Sequence, residues 1–254
     1  MSVRPGFSTL CFPLREDPDV AEVIPPDRRA RAIEQCTAVE LRLPPGGGTA
    51  RGLPTLEGGL GLLVLGGLLI RHVGIEGRFG AELLGEGDLL RPWQTERESP
   101  LLPIETGWSV IHPVRLAILD ERFVRHLADY PELASCFVAR ATQRARNLAV
   151  NMAIVHQARV DVRLRMLLWH LAGRWGRVRS EGTLVPLRLT HSVLSELVAA
   201  RRPTVTSALS DLSRRGLVRP FRDAWLLYGE PPVELLDLDA AGSGNDPRQA
   251  ASTR

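Results

Sequence analysis

The chain has 254 residues, 44% of them hydrophobic and only 5% aromatic, with a formal net charge of +3. It is longer than a usual single domain, and its composition excludes a largely disordered chain in favour of a globular fold with an aliphatic core. All 32 basic residues are Arg, which a GC-rich coding sequence suffices to explain, and no run approaches the roughly 20 apolar residues of a membrane-spanning helix.

The start, MSVRPGFSTLCF, lacks the uninterrupted apolar stretch of a signal peptide, and residues 1–19 read as an N-terminal extension. Cys11, Cys36 and Cys136 are odd in number and form no CxxC pair, so neither a disulfide framework nor a zinc knuckle is expected, and a cytoplasmic location fits. Residues 20–119 read as short β segments punctuated by glycine. Leu62 to Leu65 and Leu68 to Val73 flank Gly66 and Gly67, a dipeptide that supplies the positive φ angles of a tight hairpin. Further strands are expected at 81–84, 108–112 and 115–119, which gives an antiparallel roll.

At Asp120 turn signals give way to helical spacing. Helices are expected at about 121–129, 132–155 and 160–175, with residues 120–158 connecting the roll to a C-terminal module. Ala141, Ala145, Leu148, Met152 and Val155 recur at intervals of four and three, and Val162 continues the pattern. With polar residues on the other faces (Arg140, Gln143, Arg144, Arg146, Asn147), this seam suits pairing with a second copy of the chain.

Residues 159–236 carry the most specific pattern. After a loop, GRVRSEGTLVP, Thr190 is a natural N-cap, and Val193, Leu194, Leu197 and Val198 make one apolar face. Ala199 and Ala200 allow a tight crossing, although the usual turn glycine is absent. Pro203 then opens a second helix, since proline's missing N–H would be unsatisfied in a first turn anyway. There Val205, Leu209 and Leu212 face inward, leaving Arg202, Thr204, Thr206, Ser207 and Ser210 outside, with Arg201 just ahead. Guanidinium and hydroxyl groups on a short exposed helix suit the major groove of double-stranded DNA. GLVRPFRDAWLLYG reads as a two-stranded wing whose Arg219 and Arg222 lie on the phosphate backbone. From 176 to 229 nine Arg (177, 179, 188, 201, 202, 214, 215, 219, 222) stand against four acids (181, 196, 211, 223), a local charge of +5 that suits a polyanion. Residues 237–254 read as a disordered tail.

LTHSVLSELVAARRPTVTSALSDLSRRGLV followed by WLLYG resembles the winged helix-turn-helix of the Crp/Fnr family of bacterial transcription regulators. RLRMLLWHLA looks like the family's helix ahead of that module, and GEGDLL like its roll turn, so the resemblance spans about residues 20–230. It implies an α+β chain: a β-roll of the cyclic-nucleotide-binding kind, a long central dimerisation helix and a DNA-binding domain reading a palindromic operator as a homodimer. RNA polymerase is a further partner of such regulators, and the membrane is not. By the resemblance Arg202 matches a base-reading arginine and Thr204 a phosphate-contacting threonine. Pro203 stands where many members have a base-reading glutamate and Ser207 where many have arginine, so the operator need not be the family's best-known one.

The effector is open. Cyclic-nucleotide-binding members carry a Gly-Glu-Leu turn and then Arg-Ser or Arg-Thr, whereas here GEGD is followed by LRPWQ, so cyclic AMP is not expected; Arg91 and Arg97 are the candidates for holding an anion. Iron–sulfur members use four cysteines and this chain has three, so no cluster is expected. A haem needs only one axial histidine, for which His72 and His112 are available. Two rival readings are a protein-interaction module whose helix-turn-helix no longer binds DNA, and a cupin-like metal enzyme. The latter needs clustered histidines and a carboxylate, and none are clustered in sequence, so neither a catalytic nor a metal site is assigned and the chain is read as no enzyme.

Overall fold

The computed structural model describes residues 6–49, 58–91 and 104–235. Arg97 and the tail 237–254 lie outside them. The chain divides into two units, Met1–Leu148 and Ala149–Arg254.

In the first unit an all-antiparallel sheet is built on two long strands, β4 (Gly61–Ile75) and β7 (Ile104–Leu119). β1 (Gly6–Cys11) and β2 (Ala38–Leu43) extend it on the β7 side, and β5 (Arg78–Gly85) extends it on the β4 side; β3 (Gly46–Thr49) pairs with β7, and β6 (Leu89–Leu90) with β4. Over residues 61–65 of β4 and 116–119 of β7 both long strands are buried on both faces. Leu62 and Val64 join Leu41, Leu84, Leu116 and Ile118 inside the roll, while the alternate residues Leu63, Leu65, Ala117 and Leu119 pack against helices. Double burial explains why LLVLGGLLI is a continuous apolar run instead of an alternating one.

Gly66 and Gly67 do not make the expected hairpin. β4 runs straight through them as an irregular, bulged stretch opposite Pro113 and Val114 of β7. Gly67 has φ +90°, and a Cβ there would lie 2.1 Å from the Pro113 carbonyl oxygen, so glycine serves close strand approach. The β4–β5 hairpin turns later, at Glu76 and Gly77. Likewise 108–112 and 115–119 are one strand, since Pro113 falls where the ladder to β4 is already interrupted.

Residues 20–35 are helical where β segments were expected, and residues 6–11 belong to the sheet where an extension was expected. Helices α1 (Pro13–Glu16), α2 (Pro18–Glu22) and α3 (Pro26–Gln35) each begin with proline, whose fixed φ suits a first turn. They bury Leu14, Val20, Ala21, Ile24 and Ala32 with Phe123, Tyr130 and Phe137. Phe123 belongs to α4 (Glu121–His126), whose N-cap carboxylate, Asp120, accepts a bond from the Phe123 N–H at 3.0 Å. Helix α5 (Pro131–Val155) follows, and the division between units falls within it.

The second unit packs α6 (Val160–Trp175), α7 (His191–Leu197) and α8 (Arg202–Arg214) with a four-stranded antiparallel sheet. Its strands are β8 (Arg177–Arg179), β9 (Gly182–Val185), β10 (Val218–Phe221) and β11 (Ala224–Leu227), in the order β10-β11-β9-β8. The segment 176–186, expected as a loop, is thus a hairpin, because β9 finds a partner in β11, forty residues on.

Candidate nucleic-acid interface

The helix pair is built as its spacing requires. Thr190 accepts a bond from the Val193 N–H at 3.3 Å and so caps α7, a structural use for a hydroxyl also expected at DNA. Val193, Leu194, Leu197, Val205, Leu209 and Leu212 are all buried, with Leu164 and Leu168 of α6 and Leu227 of β11 also in the interior. Between the helices Ala199 takes φ +49°, the left-handed conformation normally left to glycine. The Ala199 N–H bonds Glu196 O at 3.2 Å and the Ala200 N–H bonds Ser195 O at 2.9 Å, the double closure of a Schellman end. Arg163 on α6 braces this turn: its Nη1 donates to Val198 O at 3.1 Å and Ala199 O at 3.3 Å, and its Nε donates to Gln157 O. Sequence spacing gives Arg163 no visible role in this turn, because the turn carbonyls it bonds lie thirty-five and thirty-six residues away.

Helix α8 begins at Arg202, so Pro203 takes the second helical position, still without an N–H to satisfy. Arg201, Arg202, Thr204, Thr206, Ser207 and Ser210 are all exposed. Two of the hydroxyls are engaged within the helix: Thr206 Oγ1 donates to Arg202 O at 3.1 Å and Ser210 Oγ to Thr206 O at 3.0 Å.

The local positive charge is unevenly free. Arg214 and Arg215 reach Asp211, Arg215 also reaches Asp161 at 3.3 Å, and Arg188 pairs with Asp223. Among the described residues the guanidinium groups of Arg201, Arg202 and Arg219 have no ion pair or hydrogen bond, and that of Arg222, at φ +54° in the wing turn, lies over the Phe221 ring. The unneutralised guanidinium groups therefore sit at the start of α8 and on the wing. The β8–β9 hairpin adds Arg177 and Arg179 beside Val178, which is 88% exposed.

In the first unit, the GEGD turn is closed on itself: Asp88 accepts from the Gly85 N–H at 2.8 Å, and the Gly87 N–H bonds Val64 O. Arg140 of α5 bridges Gly87 O and Asp17, both at 2.8 Å. Beside it Arg144 grips buried Glu82 with two bonds of 2.7 and 2.8 Å, while Arg71 stands 3.6 Å from the same carboxylate and 5.9 Å from the Trp108 ring centre. Burial opposes the charge of Arg144, yet the Glu82 bonds hold its pKa above the ordinary arginine value. Burial lowers that of Arg71. Arg91 is exposed at the end of β6. His72 pairs across the sheet with Ala81 and Gly107, and His112 with Leu68. Among the described residues no three His, Cys, Asp or Glu gather to hold a metal, and no helix is long and apolar enough to cross a membrane. All three cysteines are free, and burial pushes the Cys11 and Cys36 thiols up to about 11.

The seam on α5 is open in the single chain. Ala141 and Ala145 are exposed, Met152 is 62% exposed and Leu148 and Val155 are half-buried, with Val138 (66% exposed) adding an earlier apolar position. The seam ends with the helix at Val155, since Arg159 is the N-cap of α6 and Val162 lies on α6 itself.

Residues 162–228 match the Crp-like helix-turn-helix domain family. The CRP-like cAMP-activated global transcriptional regulator of Mycobacterium tuberculosis is 30% identical over 118 residues, 46% of this chain. The matched region spans 53%, about half, of that protein. Among solved structures, a mutant of CooA from Carboxydothermus hydrogenoformans superposes with a TM-score of 0.57 at 17% identity, covering 80% of this chain and 86% of that one. FixK2 from Bradyrhizobium japonicum gives 0.55 at 13% identity, over 80% and 96%. The c-di-GMP responsive global regulator CLP of Xanthomonas campestris gives 0.53 at 17% identity, over 84% and 100%. These likenesses bear out the α+β fold, with an N-terminal antiparallel sheet and a C-terminal helix-turn-helix.

Proposed function

We propose that this chain, a member of the Crp/Fnr family through its Crp-like helix-turn-helix domain, is a sequence-specific DNA-binding transcription regulator that acts as a homodimer on a palindromic operator, without enzymatic activity. The observation that carries the reading is the pair of exposed, unpaired guanidinium groups, Arg201 and Arg202, at the N-terminus of α8, with Arg219 and Arg222 on the adjacent wing. Arg202 can bond a guanine edge bidentately, while Thr204 and the wing arginines suit phosphate oxygens. Two copies joined along Ala141, Ala145, Leu148, Met152 and Val155 would present two such helices to half-sites about one helical turn, ~34 Å, apart. The roll would bias this pairing through α5, whose Arg140 and Arg144 are tied to the GEGD turn and Glu82. Contact with RNA polymerase and a cytoplasmic location belong to the same reading.

Selecting bound duplexes from a random library with purified, ligand-free protein at two salt concentrations tests it. An enriched inverted repeat, bound more weakly at the higher salt as counterion release requires, is the expected result and would make binding independent of added effector. Salt-sensitive binding without enrichment would point to a ligand-dependent state. Absence of binding at both salts, repeated with cyclic nucleotides and haem added, would overturn the reading in favour of a protein-interaction module.

A further inference from the structure

One contact on the proposed reading face comes from outside the recognition helix. His191, the first residue of α7, places Nδ1 3.0 Å from Thr206 Oγ1 on the exposed side of α8. The imidazole also neighbours the Trp225 ring of β11, with ring centres 6.4 Å apart and planes inclined by 33°. Trp225 is itself buried and paired in register with Pro220 and Val185. Thr206 follows Arg202 by four residues and precedes Ser210 by four, so the three form one stripe along the helix.

A threonine hydroxyl has one proton and two lone pairs. Here the proton is spent inside the protein. Two acceptors inside the protein lie within its reach, Arg202 O at 3.1 Å and the Nδ1 lone pair of His191 at 3.0 Å. In both arrangements Thr206 offers an incoming base edge a lone pair and no proton. Without the imidazole, only the weak bond back to Arg202 O would restrain the hydroxyl, which could then turn its proton outward.

We infer that His191 is a positioning residue for base readout: it fixes Thr206 as an acceptor, so that the base facing Thr206 is one with an exocyclic amino group. In the major groove that means the N4 amino of cytosine or the N6 amino of adenine, against the acceptor edges of guanine and thymine. This inference rests on the DNA-binding reading and adds a specificity rule to it.

The test is duplex selection with the unaltered protein and with His191→Leu, His191→Asn and Thr206→Val, each also checked by thermal melting. The unaltered protein should prefer cytosine or adenine at one position of each half-site by roughly fivefold to tenfold. His191→Leu and Thr206→Val should each flatten that same position and leave the others intact. His191→Asn, whose amide oxygen can replace Nδ1 as acceptor of the threonine proton, should restore it, and His191→Leu combined with Thr206→Val should add nothing further. Unchanged base preferences in His191→Leu, an even loss over all sequences, or flattening at a different position from Thr206→Val would overturn the inference while leaving the DNA-binding reading intact. No enriched sequence for the unaltered protein would overturn both.

Discussion

At the scale of single residues, the turn of the helix pair holds a conformation its side chain opposes. Ala199 sits at φ +49°, where a Cβ crowds the following carbonyl at a cost of ~1–2 kcal/mol. Ala199→Gly removes that strain but gives the unfolded chain more freedom, so a net gain of up to ~1 kcal/mol is expected. Denaturant melting measures it, and a less stable variant would mean that the alanine methyl packs usefully. Arg163, which bonds both carbonyls of this turn, should act in the opposite direction when cut to alanine. On the proposed DNA-reading face, Arg202→Ala should cost ~1–3 kcal/mol of DNA affinity and relax discrimination at one base pair. An equal loss on all sequences would make Arg202 a phosphate contact instead.

At the scale of elements, the first half of α5 and the roll are held together by charge. Glu82 is shared by Arg144 and Arg71, whose side chains are 17% and 18% exposed. Removing the carboxylate leaves two largely buried cations uncompensated, so Glu82→Ala should destabilise the first unit by ~3–5 kcal/mol. A melting temperature within a degree of the unaltered protein's would show that water already compensates them. The outer stripe of the same helix makes a separate prediction. If the proposed homodimer pairs along this seam, Met152→Glu, which puts a charge on it, should yield monomers by light scattering at concentrations where the unaltered chain pairs, with little change in monomer fold. An unaffected dimer would place the pairing surface elsewhere.

At the scale of the whole molecule, acid should weaken both units. Hydrogen bonds from Arg115 hold the Glu40 carboxyl below the usual carboxylate range in the first unit, and those from Arg159 do so for Asp161 in the second. Because these folded-state pKa values lie below the unfolded ones, the unfolded chain takes up protons first as pH falls. The stabilisation is complete above the ordinary carboxylate range and is lost as pH drops through the folded values. Asp17 runs the other way, since burial raises its carboxyl despite Arg140, and it partly offsets the loss. Melting followed from about pH 6 to pH 3 should show a declining transition, with a shallower decline in Glu40→Gln; a pH-independent transition would contradict it.

Local signals were legible in the sequence. Helix periodicity gave α6 its observed bounds, the Thr190 cap and Pro203 marked the starts of α7 and α8, and the wing followed from two short strands around Arg222 and Asp223. The seven buried apolar positions of the helix pair, Val198 among them, were legible as well, because a helix face is fixed by spacing alone. The resemblance of this segment to the Crp/Fnr family was readable for the same reason. Tertiary structure alone decided the rest. Gly66 and Gly67 have the composition of a hairpin turn but bulge within β4, because β7 lies close enough to exclude a Cβ at Gly67. Residues 177–185 become strands only because β11 returns to pair with β9, and ladder partners far apart in sequence leave no local trace. The same holds for Arg163 under the turn and for His191 against Thr206. Their partners are neighbours in space alone, so the sequence determined the helices of the second unit and which faces they bury, while packing decided the helices of residues 13–35 and which polar groups on the proposed DNA-reading face remain free.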